Sequence, residues 1–282
     1  VSASDAVVAL EGCTAEVCAD DPVFTRGDGV FETLLVRAGR VCLLDEHLRR
    51  LAESAALVGL RCPDKQLWRA AADAAVSRRT VTGEAVLRLI LGRGAVTPVA
   101  FAMVSELSAR VATVRRAGVV AVTLRRPRWP LATAKSLSYA ANSAAVRYAA
   151  DLGAEDVVFL DLDGAVLEGP RSAVVIAMPG TGIDAKPILV TPDSPAILPS
   201  TTQKALFAAA TARGIECCYR RLELADLMAA QGLWLLSSIT LAARVHTLDG
   251  VELAGSPFDG LIRELIDVGI GGGGADRAKN RL

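Results

Sequence analysis

Histidine is nearly absent from this chain, with two in 282 residues, and lysine is scarce, with five among 31 basic residues. The two histidines, His47 and His246, lie beside no cysteine and in no hydrolase motif, so neither a structural zinc site nor a Ser-His-Asp hydrolase is expected. The six cysteines (Cys13, Cys18, Cys42, Cys62, Cys217, Cys218) form no CxxC pair and read as reduced thiols. Charge of one sign is not in excess, since 31 Lys+Arg balance 31 Asp+Glu. A nucleic-acid partner, which needs a basic surplus to displace counterions, is therefore not expected. No apolar run reaches the ~18 residues of a membrane helix, and no basic-then-apolar leader opens the sequence. There is no P-loop and no GxSxG, and the glycines from Gly269 onward lack the strand and helix that a dinucleotide fingerprint requires. These absences point to a cytoplasmic protein with reduced cysteines and no metal site. Any chemistry that needs an amine must use Lys65, Lys135, Lys186, Lys204 or Lys279.

An apolar content of 52% is ample for packed cores, and the length suits two domains of roughly 150 residues each. Residues 28–44 read as a hairpin turning at Ala38-Gly39. Asp45 then opens a helix through Leu60, with Leu48, Leu51, Ala55 and Val58 on one stripe. Pro63-Asp64 starts a second helix to about Arg79. Strands follow over 85–94, 99–106 and 118–124. Consecutive strands beside two helices predict an α+β N-terminal domain over 1–124. Residues 125–134, with two prolines and no periodicity, read as the connection. The C-terminal domain over 135–282 begins with a helix at 137–152. Short strands are expected at 157–161, 165–168, 172–178, 187–191 and 233–237, helices at 201–213 and 223–230, and a hairpin at 244–253 around Asp249-Gly250. A last helix runs from Ser256-Pro257 to Val268, and the glycine-rich tail 269–282 is expected to be disordered.

Four segments gain meaning in combination. In EHLRRL (46–51), Arg49 and Arg50 are adjacent on a helix, so one can be solvated while the other points inward. In AKSLSYAANSAAVRYAADLG (134–153), Lys135 precedes a helix among small and apolar neighbours. Such an amine loses hydration and becomes a candidate Schiff-base nucleophile. In LDLDGAVLEGPRSAVVIA (160–177), Asp163-Gly164 makes a turn and Glu168 ends a strand among apolar residues, where a buried carboxylate must find a partner. In LPSTTQKAL (198–206), Ser200, Thr201 and Thr202 open a helix, which makes either a plain N-cap or an anion site. Ser237-Ser238, after LWLL, could add hydroxyls to the same anion.

Taken together, RGDGVFET (26–33), EHLRRL, AKSLSY, DGAVLEG and LPSTT, in this order and spacing, resemble the fold-type IV, or class IV, aminotransferases that use pyridoxal 5'-phosphate (PLP). That group includes branched-chain aminotransferases, D-amino acid aminotransferases and 4-amino-4-deoxychorismate lyases. The resemblance implies a two-domain fold-type IV chain, with a small α/β N-terminal domain and a larger β-barrel-like C-terminal domain, assembled as a homodimer. It implies that Lys135 holds PLP covalently and later shuttles protons. Glu168 faces the pyridine nitrogen, Arg50 binds the phosphate with Thr201, Thr202 and Ser238, and Tyr139 reaches the phenolic oxygen. Phe31 and Thr33 line the substrate side, and Arg93 takes a substrate carboxylate. A carboxylate at the ring nitrogen keeps it protonated and makes it a good electron sink, and arginine matches a phosphate with a planar fork.

The chain departs from the family pattern where Ser200 and Gln203 replace a glycine and an arginine. Ala173 replaces an asparagine, and Ile239 stands at the usual phosphate-site threonine. No histidine follows Arg93, and the branched-chain SGTAAE-like segment is absent. By subtraction the expected reaction is that of 4-amino-4-deoxychorismate lyase, which releases pyruvate and 4-aminobenzoate for folate biosynthesis. The alternatives are transamination of D- or branched-chain amino acids with a 2-oxo acid, or a PLP-binding homologue without turnover.

Overall fold

The computed structural model describes residues 6–79, 83–127, 129–180 and 186–271. The chain forms two compact units, Val1–Ser108 with Pro130–Ala141, and Ala109–Trp129 with Asn142–Leu282.

The first unit contains β1 (Ala6–Ala9), a short helix α1 (Pro22–Thr25), β2 (Gly29–Arg37), β3 (Arg40–Val41), α2 (Leu44–Leu57), α3 (Lys65–Ser77), β4 (Glu84–Gly92) and β5 (Val99–Glu106). Its sheet has the order β1-β5-β4-β2-β3 and is antiparallel throughout. Ala38 and Gly39 turn the β2–β3 hairpin with positive φ values of 50° and 72°, the signature of a type I′ turn. Strand alternation sorts the sheet into two faces. Val30, Leu34, Val36, Leu87, Leu89, Leu91, Ala100, Ala102 and Val104 pack with Leu48, Leu51 and Trp68 into one core. Each buried leucine there contributes roughly 1.5–3 kcal/mol. Asp45 does not cap α2 as expected. Leu43, left-handed at φ 53°, precedes the helix, and Asp45 sits in its first turn, where a carboxylate suits the helix dipole. Asp64 caps α3 by accepting a hydrogen bond from the Gln66 N–H at 2.7 Å.

The second unit contains α4 (Ala109–Ala117), β6 (Val119–Arg125), most of α5 (Ala140–Asp151), β7 (Asp156–Leu160), β8 (Ala173–Met178), β9 (Ile188–Pro192), α6 (Thr201–Ala212), β10 (Cys217–Arg220), α7 (Leu224–Ala229), β11 (Gly232–Ser237), β12 (Leu241–Leu248), β13 (Val251–Glu252) and α8 (Asp259–Ile270). Its eight-stranded sheet runs β10-β9-β8-β11-β12-β6-β7, with β13 on β12. Single bridges Leu160–Val166 and Ala165–Glu223, and the Val166 N–H bonded to the Leu222 carbonyl at 2.8 Å, carry pairing from β7 on toward β10. The sheet thus curls like a barrel. Alternate residues, including Val119 and Ala121, Val158 and Leu160, Val174 and Ile176, Leu233 and Leu235, and Ala243 and Val245, share its core.

The expected elements and the observed ones part company in a few places. β6 was read as the last strand of the first domain, yet it pairs in parallel with β12 and β7 in the second unit. Of the expected connection 125–134, residues 125–129 group with the second unit and 130–134 with the first. Of residues 165–168, Ala165 and Val166 make single bridges rather than a strand, and β1, α1, α4 and β10 have no counterpart in the sequence reading. Gly269 and Ile270 finish α8; the rest of the expected glycine-rich tail, 272–282, lies outside the described residues. None of the six cysteines forms a disulfide. Among the described residues no His/Cys/Asp/Glu group could hold a metal ion, and no helix is long and apolar enough to cross a membrane.

Candidate active site

Lys135 is fixed at the edge of a sheet. β3 pairs with β2 only at Val36 and Arg37, which leaves the start of β2 with an open edge. Residues 135–137 take it. The Phe31 N–H bonds the Lys135 carbonyl at 3.0 Å, the Leu137 N–H bonds the Gly29 carbonyl at 2.8 Å, and Val30 and Ser136 form a bridge. Gly29 permits this approach, since a Cβ there would lie 2.7 Å from both Leu137 Cδ1 and the Leu91 carbonyl oxygen. From the other side, the Lys135 N–H donates to Ser54 Oγ of α2 at 3.1 Å. The amine itself lies 4.6 Å from the centroid of the Phe31 ring. Tyr139 meets that ring edge-on, with centroids 5.6 Å apart. The structure therefore brings Lys135, Phe31 and Tyr139 together.

Arg49 and Arg50 divide as adjacent helical residues must. Arg49 is solvated, bonded to Glu46 at 2.7 Å and Glu53 at 2.9 Å. Arg50 is buried and meets Glu32 as a fork, Nε to Oε1 and Nη2 to Oε2, both at 2.7 Å. The same Oε2 lies 2.7 Å from His47 Nδ1. Burial alone would raise the Glu32 carboxyl, but the Arg50 and His47 interactions outweigh it and hold the group at about 2. Burial lowers the His47 imidazole below its usual range, against Glu32 and with help from the Arg50 and Lys135 charges. His47 is therefore neutral and donates from Nδ1 to Glu32. Glu32 and His47 had no assigned role in the sequence reading. The available signal was the spacing of His47, Arg50 and Ser54, which puts a polar row beside the apolar stripe Leu48, Leu51 and Ala55 on the buried face of α2.

Thr33 and Phe31 point to the sheet face opposite Glu32. Their direct cross-strand partners on that face are Arg88 and Ile90. Arg88 is half-buried and donates to Ser105 Oγ at 3.1 Å. Arg93 is placed differently. Its Nε bonds Asp28 at 2.8 Å, and its Nη2 reaches the Val58 and Gly59 carbonyls at 3.3 and 3.4 Å. It ties the loop after β4 to the end of α2, so a part in carboxylate binding would require it to exchange those partners.

In the second unit, Glu168 closes the short run that follows the Asp163-Gly164 turn. Its carbonyl accepts from the Phe159 N–H at 2.8 Å. Its carboxylate accepts from Arg126 Nη2 at Oε1 and from the Leu198 N–H at Oε2, both at 3.1 Å. Leu198 leads into α6, whose N-cap is Ser200, bonded to the Gln203 N–H at 3.2 Å. Thr201 and Thr202 are buried in the first turn, where backbone N–H groups point out of the helix end. Ser238 lies in a turn locked by Ser237 Oγ and Thr240 Oγ1 at 2.6 Å. The Ile239 carbonyl in that turn is held by the Arg115 guanidinium from α4. Ile239 lacks a hydroxyl, but Thr240, one residue on, supplies one to the turn.

The donor types fit PLP. An amine seated on an aromatic ring, a carboxylate, a buried arginine, and a helix start with serine and threonine are what an aldehyde, a ring nitrogen and a phosphate require. Residues 29–248 match the family model described as amino-transferase class IV. The chain belongs to that family. It is thus an enzyme of the class IV aminotransferase and lyase type, with PLP as its cofactor. A bifunctional aminodeoxychorismate lyase / D-amino acid transaminase from Mycobacterium tuberculosis is 50% identical over 267 residues, covering 89% of this chain and 92% of that protein. A solved structure described as a hypothetical aminotransferase from M. tuberculosis, PLP-bound form, is 48% identical with a TM-score of 0.87, covering 94% of this class IV chain and 98% of that one. Its alpha-ketoglutarate and PMP bound form matches with a TM-score of 0.86 at the same identity and coverage.

Proposed function

We propose that this class IV enzyme is a 4-amino-4-deoxychorismate lyase, releasing pyruvate and 4-aminobenzoate, a folate precursor. The observation that carries the reading is the Lys135 amine held 4.6 Å from the Phe31 ring centroid, with its backbone pinned to β2 and α2. The bifunctional M. tuberculosis relative supports the choice of reaction. When bound, the cofactor supplies an electron sink for the bond next to the substrate nitrogen. Lys135 is assigned its covalent anchoring and, once displaced, removal of the ring proton on the carbon that bears the amino group. The bond from the neighbouring ring carbon to the enolpyruvyl oxygen then breaks, the departing enolpyruvate takes up the proton on its methylene carbon to become pyruvate, and the aromatic ring that remains drives the step. Arg50, with Thr201, Thr202 and the Ser238 turn, is assigned the phosphate. Glu168 is assigned the ring nitrogen and Tyr139 the phenolic oxygen. Arg88, on the same sheet face as Phe31 and Thr33, takes the substrate carboxylate more readily than Arg93, which is engaged with Asp28. The protein is read as a cytoplasmic homodimer.

Transamination of D-amino acids is the second reading, favoured by the second half of that relative's name and by a reaction that needs the same lysine. The test offers the holoenzyme aminodeoxychorismate, then D-alanine and L-leucine with 2-oxoglutarate. Formation of 4-aminobenzoate, lost by roughly 10²–10⁴-fold in Lys135→Ala, is the expected result. Keto-acid turnover without any 4-aminobenzoate overturns the lyase reading.

A further inference from the structure

Arg126 has no part in the reading above, yet its side chain is anchored from several directions. It follows β6, and its N–H bonds the Leu160 carbonyl of β7 at 2.8 Å. Its guanidinium carbon lies 4.6 Å from the Phe159 ring centroid, a stacking geometry that fixes its plane. Its Nη2 divides between Glu168 Oε1 and the Ala196 carbonyl, each at 3.1 Å. Its Nε is buried and has no hydrogen-bond partner among the described residues. Leaving a buried guanidinium donor unsatisfied is costly. Arg50, by contrast, meets both carboxylate oxygens of Glu32. Here the geometry instead sets one N–H against one oxygen of Glu168, and the Leu198 N–H holds the other.

We propose that Arg126 is a positioning residue for Glu168: it holds the carboxylate in place and in its anionic form, so that the proton shared with the cofactor's ring nitrogen would sit on the nitrogen. This rests on the reading that Glu168 meets that nitrogen. The argument is electrostatic. One proton shared between a pyridine nitrogen and a carboxylate can sit on either. With the proton on nitrogen, the carboxylate is an anion next to the Arg126 cation. With the proton on the carboxylate, that cation loses its counter-charge in a half-buried place. The cation therefore favours the protonated ring, which is the stronger electron sink. The bond to Ala196 also ties this carboxylate to the loop that feeds α6, so the carboxylate and the helix start are set by one side chain.

The test reconstitutes the apoenzyme with ring-15N-labelled PLP and reads the nitrogen's chemical shift, which separates protonated from unprotonated pyridine. Native holoenzyme should show the protonated value. Arg126→Met should move the signal toward the unprotonated value, Arg126→Lys should restore it in part, and Glu168→Gln should move it furthest. In the Glu168→Gln background, Arg126→Met should add nothing. Circular dichroism and thermal melting of each variant separate misfolding from repositioning, and Arg126→Gln, close in volume, serves where Met fails to fold. A signal moved by Glu168→Gln but not by any folded Arg126 variant overturns the inference and leaves the reading of Glu168 standing. A signal unmoved by Glu168→Gln overturns both.

Discussion

The two units each pair a glutamate with an arginine, and the two pairs are built differently. Glu32 has a fully buried side chain, and every contact is short: both forks of Arg50 and Nδ1 of His47 at 2.7 Å. Glu168 keeps 14% of its side chain exposed and meets Arg126 through one nitrogen at 3.1 Å. In the proposed reading, the first carboxylate serves to hold an arginine and the second is itself held by one. The same two residue types thus make a short, fully buried fork in one place and a longer, partly exposed contact in the other.

The largest effect should come from breaking the first pair. Glu32→Gln takes from buried Arg50 the carboxylate charge it forks with, a loss of about 3–5 kcal/mol, read by urea unfolding. Glu168→Gln should cost less than half as much stability while abolishing 4-aminobenzoate formation; equal losses from the two would erase the contrast. A smaller effect is written in pH. The folded state depresses both His47 and Glu32, so in each case the unfolded chain binds protons that the native one does not. Stability is complete above the ordinary histidine value of about 6.5 and falls as pH drops below it, by up to ~1.4 kcal/mol per pH unit for one proton. A further loss sets in below the ordinary glutamate value of about 4.3 and continues down through about 2. Unfolding followed from pH 8 to pH 5 should show the first leg, and His47→Gln should flatten it. The smallest effect belongs to the neighbour of Arg50. Arg49→Ala removes two exposed helical pairs with Glu46 and Glu53 and should cost at most about 0.5 kcal/mol by the same unfolding assay.

Much of this was legible in the sequence because the signals are local. β-rich runs mark β2, β4 and β5, the Ala38-Gly39 and Asp249-Gly250 pairs mark turns, and the adjacency of Arg49 and Arg50 allows one of them to face inward. What stayed hidden depends on partners far along the chain. The pattern of β6 marks a strand but says nothing of β12, its parallel neighbour more than 100 residues further along the chain. The α4 helix has only Val111 and Val114 buried, too few to show a stripe. Glu32 sits in RGDGVFET as one more residue of an apolar strand, and only the three-dimensional arrangement shows that its alternation places it under His47 and Arg50. Arg126 was read as part of a proline-rich connection, whereas its backbone and side chain bond to residues 160, 168 and 196.

The edge that Lys135 completes has a consequence for how the enzyme comes into being. The start of β2 waits for a segment that lies 81 residues beyond Ser54 and after the first stretch of the second sheet has been made. On the ribosome, the N-terminal sheet can assemble while its lysine is still inside the exit tunnel, so the amine is among the last parts of that unit to find its place. A gene cut at the proline-rich connection would yield a first fragment with an unfilled strand edge, exposed to pairing with other chains. Attempts to express that unit alone should therefore carry the chain through residue 141.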